Sequence, residues 1–209
     1  MAKLSSTDLD VENGCSSTTA MGAYYRRRCV SILGSHSLGP SNGTLSVRTG
    51  RAGAAAKVGH DLLIAVTAWE ATLELAEDAA RSRLALDADS TSLRVREGTG
   101  GMTELGEEDR ANIEQTIGDE VLHGREIAYR SSACGEDGDR LRFEGELTID
   151  GATHPLSFEL AVDRDGAVSG TATVRQSDWG IKPYSTLFGA LKVADEVEVR
   201  FDGSLGQSR

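Results

Sequence analysis

From Leu141 to Val174 the chain alternates apolar and polar residues in runs that are separated by Asp-Gly pairs. Leu141, Phe143, Leu147 and Ile149 alternate with Arg142, Glu144, Glu146 and Thr148, and Asp150-Gly151 follows. Leu156, Phe158, Leu160 and Val162 come next, then Asp165-Gly166, then Val168, Ala172 and Val174. A period of two puts every second side chain on one face of a strand. An Asp-Gly pair between two such runs marks a hairpin, because a type I′ turn needs positive φ at both central residues. Asp137-Gly138 joins Glu126–Ala133 to the strand at Leu141, so the pattern predicts a four-strand antiparallel meander. Each strand has one apolar face, and one apolar face means one interior.

The rest of the chain repeats the pattern more weakly. Leu45 and Val47 alternate with polar neighbours. Leu62, Ile64 and Val66 share one parity while Leu73 and Leu75 share the other, which predicts one long strand with a bulge or bend near Ala68 and Trp69. Leu84 and Leu86, then Leu93 and Val95, read as two short strands, and Val197, Val199 and Phe201 as a last one. One helix is expected, over Glu107–Ile117. There Ile113 and Ile117 lie on one face, and Glu107, Glu108 and Asp109 suit the positive end of the helix dipole. About eight antiparallel strands need their edges managed, and closure into an all-β barrel does so. Such a barrel either fills with its own side chains or holds one small ligand, and periodicity leaves both open.

Residues 1–43 are rich in Ser, Thr, Gly and Asn without periodicity, so they are expected to be a poorly ordered tail before a domain at 44–205. The formal net charge is −11. Lys3 and Arg26 to Arg28 against Asp8, Asp10 and Glu12 give the tail +1, which leaves −12 on the remainder. An acidic domain repels phosphate, which argues against nucleic acid and against electrostatic docking on anionic membranes. Cys15, Cys29 and Cys134 form no Cys-x-x-Cys pair, and His36, His60, His123 and His154 are scattered. These features point to a reducing compartment and to no metal or cofactor. No apolar run is long enough to span a membrane, and the short stretch Arg26–Leu33 falls below an export signal, so a cytoplasmic location is expected.

Catalytic patterns are sparse. Ser35-His36-Ser37-Leu38-Gly39 lacks the first glycine of a nucleophile elbow, and Gly98-Thr99-Gly100-Gly101 reads as a mobile loop rather than a phosphate cradle. His60 and Asp61 invite a base-and-orienter reading, with Ser177 or Ser185 as nucleophile. Neighbours on a strand point to opposite faces, however, so a strand entry is the simpler reading. No catalytic residue is nominated. The link Gln176–Val193 is unusually apolar for a loop: Trp179, Ile181, Tyr184, Leu187, Phe188 and Leu191 suit a lid over a lipid or a plug in a barrel end.

Five segments carry a resemblance: Gly59-His60-Asp61, Trp69-Glu70-Ala71-Thr72, Ala111-Asn112-Ile113-Glu114, Gly145–Pro155 and Ser177-Asp178-Trp179-Gly180-Ile181. Over Thr44 to about Leu205 the chain resembles the YceI-like family of polyisoprenoid-binding proteins. The resemblance implies an elongated, lipocalin-like antiparallel barrel whose tunnel holds an isoprenoid, a quinone-like molecule or another long-chain lipid, without enzymatic activity. Many relatives carry an export signal, and this chain is expected to depart from them in that respect. The expected ligand-binding set is Phe143, Leu147, Phe158, Leu160, Val199 and Phe201 on strand faces, with Trp179, Ile181, Tyr184, Leu187 and Phe188 from the link. The alternative is a non-enzymatic interaction module with a side-chain-filled barrel, and a lipid-ester hydrolase comes third. A homodimer is compatible with either of the first two.

Overall fold

The computed structural model describes residues 32–124 and 126–206. Among the described residues there are twelve strands and one α-helix. The strands are β1 (Gly34–Leu38), β2 (Gly43–Ala52), β3 (His60–Val66), β4 (Trp69–Leu75), β5 (Arg83–Asp89), β6 (Leu93–Gly100), β7 (Glu126–Asp137), β8 (Arg140–Ile149), β9 (Ala152–Val162), β10 (Ala167–Arg175), β11 (Ser185–Thr186) and β12 (Leu191–Ser204). The helix α1 spans Glu107–Thr116. All pair antiparallel in one sheet, in the order β1-β4-β5-β7-β8-β9-β10-β12-β2-β3-β6, with β11 on β12.

β3 runs into β4 across Thr67 and Ala68, and β5 into β6 across a 3-10 turn, Ser90–Ser92. Because β3 pairs with β6 and β4 with β5, this bent hairpin joins the two ends of the ladder, and the sheet curls around a single interior. The bend is stitched by side chains. Thr67 Oγ1 donates to the Ser92 carbonyl at 2.8 Å, and the Ala68 N–H donates to Ser92 Oγ at 3.0 Å. Asp89 accepts from Thr91 N and Oγ1 at 2.8 and 2.7 Å. The Thr91 hydroxyl, then its N–H, holds the Asp89 carboxyl below the usual range.

The count exceeds the roughly eight expected, and three of the additional strands have identifiable reasons. The one long strand expected through Leu62–Leu75 is broken in two by the bend, and β11 lies in the link that was expected as loop. β1 falls within the segment that was expected as tail. There a buried His36 alternates with Leu38 and donates through Nε2 to the Ile32 carbonyl at 2.9 Å, so an apolar period never forms. Residues 1–31 of that segment, with Cys15, Cys29 and most of Arg26–Leu33, lie outside the described residues.

The turns are more varied than three Asp-Gly pairs suggest. Asp150 and Gly151 both have positive φ, at 53° and 77°, as a type I′ turn requires. Between β7 and β8 the turn is Gly138-Asp139, because Asp137 already pairs with Arg140; positive φ on the first position alone matches type II′. Between β9 and β10 the loop is longer. Asp163 Oδ1 accepts from Asp165 N and Ala167 N at 2.9 and 2.7 Å.

The helix begins where expected and continues through a wider π-type turn, Ile117–Leu122, which stops at His123 with φ 54°. It covers the free edge of β6: Glu114 Oε1 accepts from the Val95 N–H at 2.7 Å. Ile113, Ile117 and Val121 pack against the sheet's core, and Leu122 is buried in it.

A candidate lipid cavity

The inward faces of the strands do not meet across the interior. They enclose a cavity of about 600 Å³ whose wall is almost wholly apolar. That volume lies in the range of small-molecule sites. At one end the wall is Leu38, Leu45, Val66, Trp69 and Phe201. This end is shut: the Asn42 carbonyl of the β1–β2 turn accepts from Ser204 N at 2.9 Å, and the Trp69 and Phe201 rings meet edge-on at 5.7 Å. The buried Trp69 Nε1–H has no hydrogen-bond partner among the described residues. At the other end the wall turns polar, with Arg51, His60, Gln176, Tyr184, Thr186 and Lys192, and here Val58, Tyr184 and Lys192 reach solvent. This end is the mouth.

Midway, Tyr129 hangs from β7 with its ring 5.3 Å from that of Phe158. Burial, reinforced by Cys134 and Glu144, pushes its phenol up to about 12. Beside it β8 narrows to Gly145, opposite an irregularity in β7 between Ser131 and Ala133. A Cβ at 145 would strike the Arg130 carbonyl and the Tyr129 hydroxyl.

Of the residues expected at a ligand site, Leu147, Phe158, Leu160, Ile181, Tyr184, Val199 and Phe201 line the cavity. Phe143 does not. It is fully buried behind Phe158, with ring centroids 6.2 Å apart, in the solid part of the core. Trp179 is buried in a 3-10 turn, Gln176–Trp179, where its Nε1 donates to the Leu147 carbonyl at 2.8 Å and its ring meets His154 edge-on at 5.3 Å. That turn is fastened to β12 by Ser177, whose Oγ and N donate to Asp195 at 2.6 and 2.8 Å. These bonds, the hydroxyl's first, hold the Asp195 carboxyl below its ordinary value. The link thus divides: its first half turns Trp179 and Ile181 inward. Its tip turns out, because Leu187 and Phe188 sit at φ 51° and 55° and point to solvent.

Sequence reasoning missed the opposite wall, where Leu62, Ile64, Leu84 and Leu86 face the cavity with Ile113, Thr116 and Ile117 from the helical segment. The same alternation marks these strands, so the signal was present. The polar mouth carried no periodic signal at all. Arg51 donates through Nη1 to the Gly59 carbonyl at 2.7 Å and pairs with Asp61 at 3.4 Å, while His60 Nε2 donates to the Thr103 carbonyl at 2.8 Å. His60 and Asp61 therefore serve separate partners, and Ser177 serves a third.

A family model described as the YceI-like domain matches residues 45–205. The chain belongs to the YceI-like family. It is a family of binding proteins whose barrel takes polyisoprenoids or similar lipids. The YceI-like fold is shared with BcnA of Burkholderia cenocepacia at 17% identity and a TM-score of 0.57, over 77% of this chain and 94% of that one. A Campylobacter jejuni YceI protein is similar at 12% identity and a TM-score of 0.45, over 70% and 85% of the two chains. No curated protein matches the chain. Among the described residues of this YceI-like protein, no helix is long and apolar enough to cross a membrane.

Proposed function

We propose that this YceI-like protein binds one long-chain amphiphile, isoprenoid or quinone-like, with its tail in the cavity and its polar head at the mouth. The observation that carries the reading is the apolar void of about 600 Å³ inside the sheet. Burying hydrocarbon there is worth about 0.8 kcal/mol per methylene, less the cost of ordering the chain. Arg51, His60 and Lys192 would face the head, and the unpartnered Trp69 Nε1–H at the shut end favours a cargo with an acceptor near its tail. The void counts against the filled-barrel interaction module, whose interior would approach crystal density. Storage, transport and sensing all use this same step.

Native mass spectrometry followed by organic extraction tests the reading. A discrete added mass matching such an amphiphile is expected, and Ala172→Trp on the cavity wall should abolish it while the circular dichroism spectrum stays unchanged. Finding the bare chain mass alone, with no uptake of added quinones or polyprenyl phosphates, overturns it.

A further inference from the structure

Among the described residues, five large apolar side chains are exposed: Val58, Met102, Tyr184, Leu187 and Phe188. They come from three loops that are far apart in sequence and meet around the mouth. The Ala55 N–H donates to the Ala190 carbonyl at 2.8 Å, tying the Val58 loop to the Leu187-Phe188 tip. The Tyr184 carbonyl accepts from Val193 N at 2.9 Å, holding the start of that tip on β12. The Met102 loop joins them through His60, whose ring bonds to Thr103 and lies where a Cβ on Gly101 would stand. Phe188 is fully exposed and Met102 is 78% exposed. Two consecutive bulky residues at positive φ are rare, and here that backbone turns Leu187 and Phe188 away from the protein.

The same rim collects the lysines. The described residues contain three, Lys57, Lys182 and Lys192, and each adjoins one of these loops or begins the strand that leaves one. Against them the three loops carry two carboxylates, Glu104 and Asp178, the second facing the charge of Arg175, while Asp61 at the start of β3 is held by Arg51 and the Glu107–Asp109 cluster belongs to the first turn of α1. A chain of net charge −11 thus gathers its described lysines and its exposed apolar side chains on one face at one end.

We infer that this rim docks on an anionic lipid bilayer, with Phe188, Leu187 and Met102 entering the headgroup–acyl boundary and the lysines meeting lipid phosphates. The combination of protruding apolar side chains and flanking lysines is what interfacial binding uses. A second copy fits poorly, because a two-fold contact through this face would set lysines against lysines. The net negative charge does not forbid docking. Salt screens charges beyond about 8–10 Å, so at contact the rim's own charges count for more than those on the far walls. The inference stands apart from the cargo reading, although docking would open the mouth onto the membrane.

The test is flotation of the full chain with phosphatidylcholine vesicles, with and without phosphatidylglycerol, alongside native mass spectrometry. Flotation is expected with phosphatidylglycerol vesicles and should fall as salt is raised. The pair Leu187→Ser and Phe188→Ser should remove most of it. The pair Lys57→Glu and Lys182→Glu should weaken it more than about tenfold, as follows from roughly 1 kcal/mol per cation near an anionic surface. The charge pair should keep any added cargo mass, as neither lysine lines the cavity. No flotation, flotation indifferent to both pairs, or a concentration-dependent dimer dissolved by Phe188→Ser would each overturn the inference. Absence of cargo mass with flotation intact would sink the cargo reading alone.

Discussion

Gly145 and Tyr129 set the geometry of the cavity's middle. At Gly145 the obstacle to any side chain is the backbone carbonyl of Arg130, which cannot rotate away as a side chain can. Gly145→Ala is therefore expected to destabilise the protein by about 1–3 kcal/mol, the usual cost of overpacking, as read from the urea midpoint. An unchanged midpoint would mean that β7 yields there. Tyr129 makes a prediction about pH. Its phenol is raised to about 12 in the folded protein by burial, against 10 in the unfolded chain. Below pH 10 both states hold the proton and the contribution is fully present. Between pH 10 and 12 only the unfolded state releases it, so stability falls as pH rises through that window. Tyr129→Phe should flatten this part of the stability profile, and in the wild type one tyrosine should ionise late by ultraviolet absorbance.

At the scale of elements, the helical segment closes the sheet where pairing stops. β6 has β3 on one side only, and Glu114 takes the place of a neighbouring strand at Val95. Glu114→Ala leaves that N–H without its acceptor. Amide exchange at Val95 and through α1 should quicken, and the loss of stability should be about 1–3 kcal/mol. Exchange unchanged at Val95 would show that the helix is held by Ile113, Ile117 and Leu122 alone. The helix itself was readable from Ile113 and Ile117 and the acidic first turn. The π-type extension was not, because its register is set by what Val121 and Leu122 meet in the core.

At the scale of the whole molecule, a hollow interior lacks part of the packing that stabilises a filled one, and the proposed cargo would supply it. The protein as purified should melt above its delipidated form, with the gap growing with the concentration of re-added lipid, since a ligand of the folded state stabilises by mass action. Identical melting curves across a lipid titration would show that the cavity stays empty. The lysines and exposed apolar residues belong to this scale too. Lys57, Lys182 and Lys192 were lost in a net charge of −11 until the fold gathered them at one end.

Alternation and turn chemistry are local properties, and the sequence by itself determined what depends on them: antiparallel strands, the bend between Val66 and Trp69, the Asp150-Gly151 hairpin, the helix at Glu107 and the family resemblance carried by such segments. Which seven of eleven expected residues reach the cavity was decided by tertiary structure, because a strand's parity says which face is inward but not what stands opposite. Phe143 and Phe158 are direct partners across β8 and β9 and share a face, yet only Phe158 borders the void. The void itself depends on distances across the barrel, which strand number, bend and closure set together. A period of two cannot encode them.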